Sequence, residues 1–220
     1  MAGHASGEPG LRWDDVLAAY LTPEQRSRLA SARVGLAGAG GLGSNCALLL
    51  ARSGIGSIVA ADCDLVSLSN LNRQHFLPDH VGKPKVAALA EMLRAVNPCL
   101  RLEPHRLKLD KDNAPALFAD CDLVVEAVDD AATKRMLLEI LTLAGLFVVG
   151  ASGVAGWGGP GMRVRRFGDR AVIVGDGISA VDAHLPPLAP RVMMAAAMQA
   201  DQVLLRLLGP CPDRPGGEHE

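Results

Sequence analysis

No two cysteines in this chain are spaced as a C-x-x-C pair. Cys46, Cys63, Cys99, Cys121 and Cys211 are scattered through 220 residues. Tetrahedral structural zinc usually draws on closely spaced pairs, so no zinc is expected. The odd count, with a small and polar start at Met1–Gly10 instead of an apolar signal, points to reduced thiols and a cytoplasmic location. No apolar run approaches roughly 18 residues. The best candidate, 192–208, is broken by Gln199, Asp201, Gln202 and Arg206, so no membrane span is expected. A basic excess is missing too. A formal net charge of -2 disfavours nucleic acid as the main partner, because phosphate binding favours strongly basic surfaces.

What is present is an ordinary globular composition, 49% hydrophobic and 21% charged, long enough for one well-cored α/β domain. Residues 1–10 read as a disordered tail, 11–209 as a single domain and 210–220 as a second tail. Within the domain, N-terminal helices occupy 11–32, a nucleotide-binding core 33–151 and a C-terminal part 152–209. Helical spacing runs over 14–31 and restarts at Thr22-Pro23-Glu24. There Thr22 as N-cap, Pro23 at the first helical position and Gln25 at the third make a capping box.

Short apolar runs then alternate with helices. Strands are predicted at 33–38, 57–61, 100–107, 123–128 and 146–151. Helices are predicted at 41–52, 83–96 and 133–144, the second ended by Asn97-Pro98 because a residue before proline avoids the helical region. A glycine-rich loop, 152–161, precedes a hairpin, 162–167 and 171–174, turned at Gly168-Asp169. A last helix, 191–208, stops at Gly209-Pro210. The fold class is α/β, a Rossmann-like, mostly parallel sheet with helices on both faces and a C-terminal antiparallel hairpin extension.

The first strand runs into Gly38-Ala39-Gly40-Gly41-Leu42-Gly43 and a helix. Glycines let the backbone turn tightly and approach a phosphate, which the free N–H groups and the positive helix end then hold. Asp62 ends the second strand, where an acid accepts hydrogen bonds from ribose hydroxyls. NAD, FAD and ATP all suit these features.

The next segment separates them. Asn70, Asn72, Arg73, Gln74 and Lys85 follow the second strand, just past the edge where open α/β sheets bind ligands. A triphosphate carries about twice the charge of a dinucleotide's pyrophosphate, and fixed cations stabilise the departing pyrophosphate. The fourth strand ends in Glu126-Ala127-Val128-Asp129-Asp130. A carboxylate beside phosphates makes sense with Mg²⁺ between them, and Asp129 is the candidate. Asp130 is a candidate cap of the following helix, a role open to Asp129 as well.

Taken in order, Gly38-x-Gly-Gly-Leu-Gly, Asp62-x-Asp, Ser69-Asn-Leu-Asn-Arg-Gln74, Gly82-x-Pro-Lys85 and the Asp129 strand end resemble the ThiF/MoeB/HesA superfamily, and within it the short ThiF form. The resemblance covers about residues 33–209. It implies ATP and Mg²⁺ as cofactors, with Gly38, Gly40, Gly41, Leu42 and Gly43 on the phosphates and Asp62 on the ribose, Asp64 nearby. Asn70, Arg73 and Lys85 would grip the triphosphate, Gln74 would belong to the same ATP site, and Asp129 would hold the metal. Arg73, Lys85 and Asp129 would then be the catalytic set.

The implied reaction is adenylation of the C-terminal glycine carboxylate of a small ubiquitin-like sulfur carrier of the ThiS type, in thiamine thiazole biosynthesis. Loop 152–161 would leave room for a thin diglycine tail, or is a turn-rich connection. Relatives often dimerise and lend an N-terminal arginine to the neighbour. Arg12 is the possible equivalent here, although Arg12-Trp13-Asp14-Asp15 departs from the family's Arg-Tyr-x-Arg-Gln. With no cysteine in 176–190, the resemblance implies adenylation only, and sulfur from another protein. His75 reads as structural. Competing readings are another acceptor (a molybdopterin carrier, or threonylcarbamoyladenosine in tRNA), an inactive binding module, and an NAD-dependent oxidoreductase.

Overall fold

The computed structural model describes residues 12–182 and 184–211. The expected tail at 1–10 lies outside them, as does most of the one at 210–220. Two short helices open the described chain, α1 (Trp13–Leu17) and α2 (Pro23–Ser31). Between them the capping box forms as its residues require. Thr22 Oγ1 accepts from the Gln25 amide at 3.3 Å, and Gln25 Oε1 accepts from the Thr22 amide at 2.9 Å.

Seven strands form one sheet in the order β3-β2-β1-β4-β5-β7-β6. These are β1 (Arg33–Ala37), β2 (Ser57–Ala61), β3 (Arg101–His105), β4 (Leu123–Glu126), β5 (Val148–Ala151), β6 (Arg163–Phe167) and β7 (Ala171–Gly175). All neighbours pair in parallel except β6 with β7. The hairpin therefore does not stand apart. Its second strand docks parallel to β5 and lengthens the sheet.

Successive strand residues face opposite sides, and two cores result. Val34, Leu36, Ile58, Ala60, Val125 and Val149 face α3 (Gly41–Arg52), α4 (Lys85–Val96) and α7 (Ala189–Leu208). Ala37, Val59, Ala61, Val124 and Val148 face α5 (Asn113–Phe118) and α6 (Ala131–Leu143). A sheet covered on both faces explains the unbroken apolar runs. Gly35 has no side chain because a Cβ there would lie 2.7 Å from Phe118 Cδ1.

Several boundaries differ from the sequence reading, and one helix is added. Helix α4 begins at Lys85 behind Pro84, not at residue 83. Strand β3 stops at His105 and carries Pro104, which an edge strand tolerates because its missing N–H need not pair. Helix α7 starts two residues early, at Ala189, with Pro190 in the first turn where no N–H is required. Helix α5 was not foreseen, since six residues are too few to show a helical period. Among the described residues, no helix is long and apolar enough to cross a membrane.

Candidate functional site

The C-terminal ends of β1, β2 and β4 open into a cleft of about 630 Å³. Its floor is the turn from β1 into α3. Gly38 has φ +100°, in the left-handed region, and a Cβ there would sit 2.8 Å from the Ala127 carbonyl oxygen. At Gly43 a Cβ would fall 1.9 Å from Gly38 O. These two positions require glycine for different reasons, one for conformation and one for close approach. Gly40 and Gly41 line the cleft at the start of α3. A Cβ on Gly41 would meet Val192 Cγ1 at 2.9 Å and Arg73 Cγ at 3.4 Å, so the Arg73 stem and the start of α7 close over the loop.

Asp62 follows β2. Its Oδ2 accepts from the Ala39 amide and its Oδ1 from the Asp64 amide, both at 2.8 Å. This clasps the glycine turn to the end of β2. Lys85, at the start of α4, has a side chain only 9% exposed, and its Nζ lies 2.7 Å from Asp64 Oδ2 and 4.0 Å from Asp62 Oδ2. The Lys85 hydrogen bond is the main reason the Asp64 carboxyl is held below its usual value. Asp64 thus acts on the cleft through Lys85.

Arg73 is carried by the loop between β2 and α4. Its Nη1 donates to Ser69 O (3.2 Å) and to Asn72 Oδ1 (2.9 Å). Asn45 of α3 anchors the loop by donating to both Gly41 O and Arg73 O. Gln74 is buried against the cleft, with Nε2 3.7 Å from the Cβ position of Gly40, and its buried Oε1 has no partner among the described residues.

The end of β4 carries three carboxylates with three different surroundings. Glu126 is 1% exposed and both its oxygens accept from Lys134 Nζ, at 2.8 and 2.7 Å. Burial pushes the Glu126 carboxyl up, against the pull of Lys134 and the Val128 amide. Asp130 caps α6, its Oδ2 accepting from the Thr133 amide and hydroxyl at 2.7 Å. Those bonds hold its carboxyl below the ordinary value. Asp129 is exposed in the cleft and, among the described residues, makes no hydrogen bond or ion pair. Of the two candidates, Asp130 is the cap.

The structure brings Gly38, Gly40, Gly41, Leu42, Asp62, Asp64, Arg73, Gln74, Lys85 and Asp129 to one cleft. Three candidates lie elsewhere. Gly43 is buried beneath the turn, where its value is steric. Asn70 spends Oδ1 on the Ser67 amide, at 3.1 Å, and closes the turn before Arg73. Arg12 lies with Trp13, Gly56 and Arg101 in a hollow at the N-terminal edge of the strands, opposite the cleft. His75 does not line the cleft, and burial first, then Arg52, lowers its pKa.

Sequence reasoning missed Lys134 and Lys108, which also line the cleft. Lys134 stands one helical turn after Asp130, a spacing that was legible. Nothing local marks Lys108, because which residues after β3 reach the cleft is decided by how the sheet and its helices pack.

Fold and cleft together define a Rossmann-like α/β protein with a nucleotide-type phosphate loop at the strand ends. The chain belongs to the ThiF family, whose model matches residues 15–216. It is 39% identical over 128 residues to the SAMP-activating enzyme E1 of Haloferax volcanii, covering 58% of this chain and 47% of that one. It is 39% identical over 127 residues to the probable adenylyltransferase/sulfurtransferase MoeZ of Mycobacterium tuberculosis, covering 57% of this chain and 32% of that one. The chain thus spans half or less of the length of these curated relatives. Among solved structures, the E. coli tRNA N6-threonylcarbamoyladenosine dehydratase TcdA in complex with AMP superposes with a TM-score of 0.80 at 22% identity. That match covers 90% of this chain and 94% of the other, and what it shows is the shared fold.

Proposed function

We propose that this chain binds ATP in the cleft and adenylates the C-terminal carboxylate of a small ubiquitin-like carrier protein. The observation that carries this reading is the convergence of Asp62, Arg73, Lys85 and Asp129, from four separate segments, around a glycine turn at a helix N-terminus. The 39% identity to an enzyme named as SAMP-activating supports a ubiquitin-like acceptor. A carrier of the ThiS type, working in the cytoplasm, is the finer form of the proposal.

In this reading the first amides of α3 hold phosphate oxygens and Asp62 accepts from the ribose. Lys85 and Arg73 face the triphosphate, Lys85 as a point charge and Arg73 as a fork. A carboxylate oxygen of the acceptor attacks the α-phosphorus. A new oxygen–phosphorus bond forms, the bond to the bridging oxygen breaks, and pyrophosphate departs with the electron pair. The nucleophile is already ionised at neutral pH, so no general base is required. Catalysis is then positioning and charge stabilisation.

The donor set at the end of β4 fits Mg²⁺. Lys134 compensates Glu126 and Asp130 is occupied as a cap, which leaves Asp129, among the described residues, as the unpaired carboxylate at the end of β4. Asp129 would hold the ion, whose charge would stabilise the departing pyrophosphate. The other compact acidic group, Asp62-Cys63-Asp64, fits less well, because Asp62 is committed to two amides and Asp64 to Lys85.

The test is exchange of labelled pyrophosphate into ATP, run with purified carriers of the ThiS and molybdopterin types and with threonylcarbamoyladenosine-bearing tRNA. Exchange that needs a Gly-Gly-ended carrier and Mg²⁺ is the expected result. Exchange with tRNA alone would reassign the acceptor. NADH binding that ATP does not displace would remove the reading.

A further inference from the structure

Asp176 directly follows β7 with its side chain wholly buried, and the side chain of Arg191, in the first turn of α7, is 6% exposed. Arg191 Nη2 lies 2.5 Å from Asp176 Oδ2. The other carboxylate oxygen accepts from the amides of Ile178 and Ser179, both at 2.8 Å. Burial alone would raise this carboxyl, but those amides and Arg191 outweigh it and hold it below its ordinary value. The Asp176 amide donates to Gly153 O at 3.1 Å, and its carbonyl accepts from the Arg165 guanidinium. Arg191 also donates to Pro160 O, and Ser179 Oγ accepts from the Ala155 amide at 3.2 Å. One ion pair therefore ties together β7, loop 152–161 and α7.

Stability alone is a poor reason for such a pair, since apolar residues of similar volume often serve as well or better. Its location is more telling. Residues 152–155 and 179–181 line the cleft on the β5–β7 side, with Asp129 beyond the end of β4 between them and Asp62 beyond β2. Most of those side chains are small: Ser152, Gly153, Ala155, Ser179, Ala180. Gly153, at φ +76°, has no room for a Cβ, which would fall 1.9 Å from Asp176 Oδ1. The carboxylate and the glycine are thus fitted to each other. Among the described residues the amides of Gly153 and Val154 donate to no acceptor.

We propose that Asp176 and Arg191 are positioning residues that hold 152–155 and 179–181 as the acceptor wall of the cleft. This wall receives a thin, extended chain end, with the Gly153 and Val154 amides as donors to it. The proposal rests on the adenylation reading and deepens it by naming where the acceptor tail runs.

Two measurements on the full chain test it, with Asp176→Asn, Arg191→Met and the milder Ser179→Ala. Hydrogen exchange should quicken about tenfold or more at the bonded amides of the two segments, Ser152, Ala155, Ile178 and Ser179, in the first two variants, while 38–43 keeps its protection. In pyrophosphate exchange with a Gly-Gly-ended carrier, the KM for carrier should rise about tenfold and the KM for ATP stay within about twofold. Ser179→Ala should move both in the same direction by less, and it guards against a variant that fails to fold. Equal rises in the two KM values, or unaltered hydrogen exchange in the two segments, would overturn the proposal. Wild-type protein inactive with every acceptor would instead sink the adenylation reading and the acceptor assignment with it.

Discussion

Lys85 Nζ sits 2.7 Å from Asp64 Oδ2, so the cation that the adenylation reading sets against a triphosphate is also paired with a carboxylate. Bound phosphates would compete with Asp64 for it. Lys85→Met should therefore weaken ATP binding more than it lowers the thermal midpoint, because it removes a charge facing the ligand. Titration calorimetry with ATP, beside thermal melts, checks this.

The same pair sets a pH dependence. Lys85 depresses the folded-state pKa of Asp64, so its stabilisation is present above the unfolded value of about 4 and is lost as pH falls through the lower folded value. Melting curves of wild type and Asp64→Asn should differ at pH 7 and converge in strong acid. A gap independent of pH would remove the ionic explanation.

Arg73 is half-buried and held by a backbone carbonyl and Asn72. Arg73→Ala should leave the fold intact and slow pyrophosphate exchange by about 100-fold, the scale of losing one donor aimed at developing charge. Asn72→Ala, which removes its contacts to Arg73 and to the Pro187 carbonyl but no charge, should cost much less. Steady-state exchange rates of the two variants decide between a catalytic and a scaffolding arginine.

Neighbouring aspartates should separate cleanly. Asp130→Ala removes the cap of α6 and should lower the stability of the fold with exchange retained. Asp129→Asn should leave the melting temperature near wild type and abolish the Mg²⁺ dependence of ATP binding. Denaturant melts paired with metal titrations give both readings, and a stable, metal-responsive Asp129→Asn would refute the metal assignment.

Glu126 and Lys134 form the other test of buried charge. Lys134→Met leaves a buried carboxylate without its cation and should destabilise by about 3–5 kcal/mol. Adding Glu126→Gln to it should recover much of that loss. Chemical denaturation of the single and double variants measures the coupling.

Much of the fold was legible because the patterns that announce it are local. Buried parallel strands need unbroken apolar runs, and 33–37, 57–61, 123–126 and 148–151 supply them. The Thr22–Gln25 box and the glycine turn after β1 are written in contiguous residues, and both form. The short α5 left no period to read, and the place of Lys108 in the cleft left none either. The separate roles of Asp129 and Asp130 also stayed open, since either fits an N-cap by position.

By itself the sequence determined the α/β class, the phosphate turn and its glycines, and the residue set that marks the ThiF family. Those depend on hydrogen bonds and periodicities spanning a few residues. Only the tertiary structure decided that β7 inserts beside β5, that Lys85 meets Asp64, and that Asp130 caps α6 while Asp129 has no partner among the described residues. It alone decided that Asp176 and Arg191 find each other across the end of the sheet. Such pairings are set by strand order and by which buried charges can be compensated, and both depend on the packed whole.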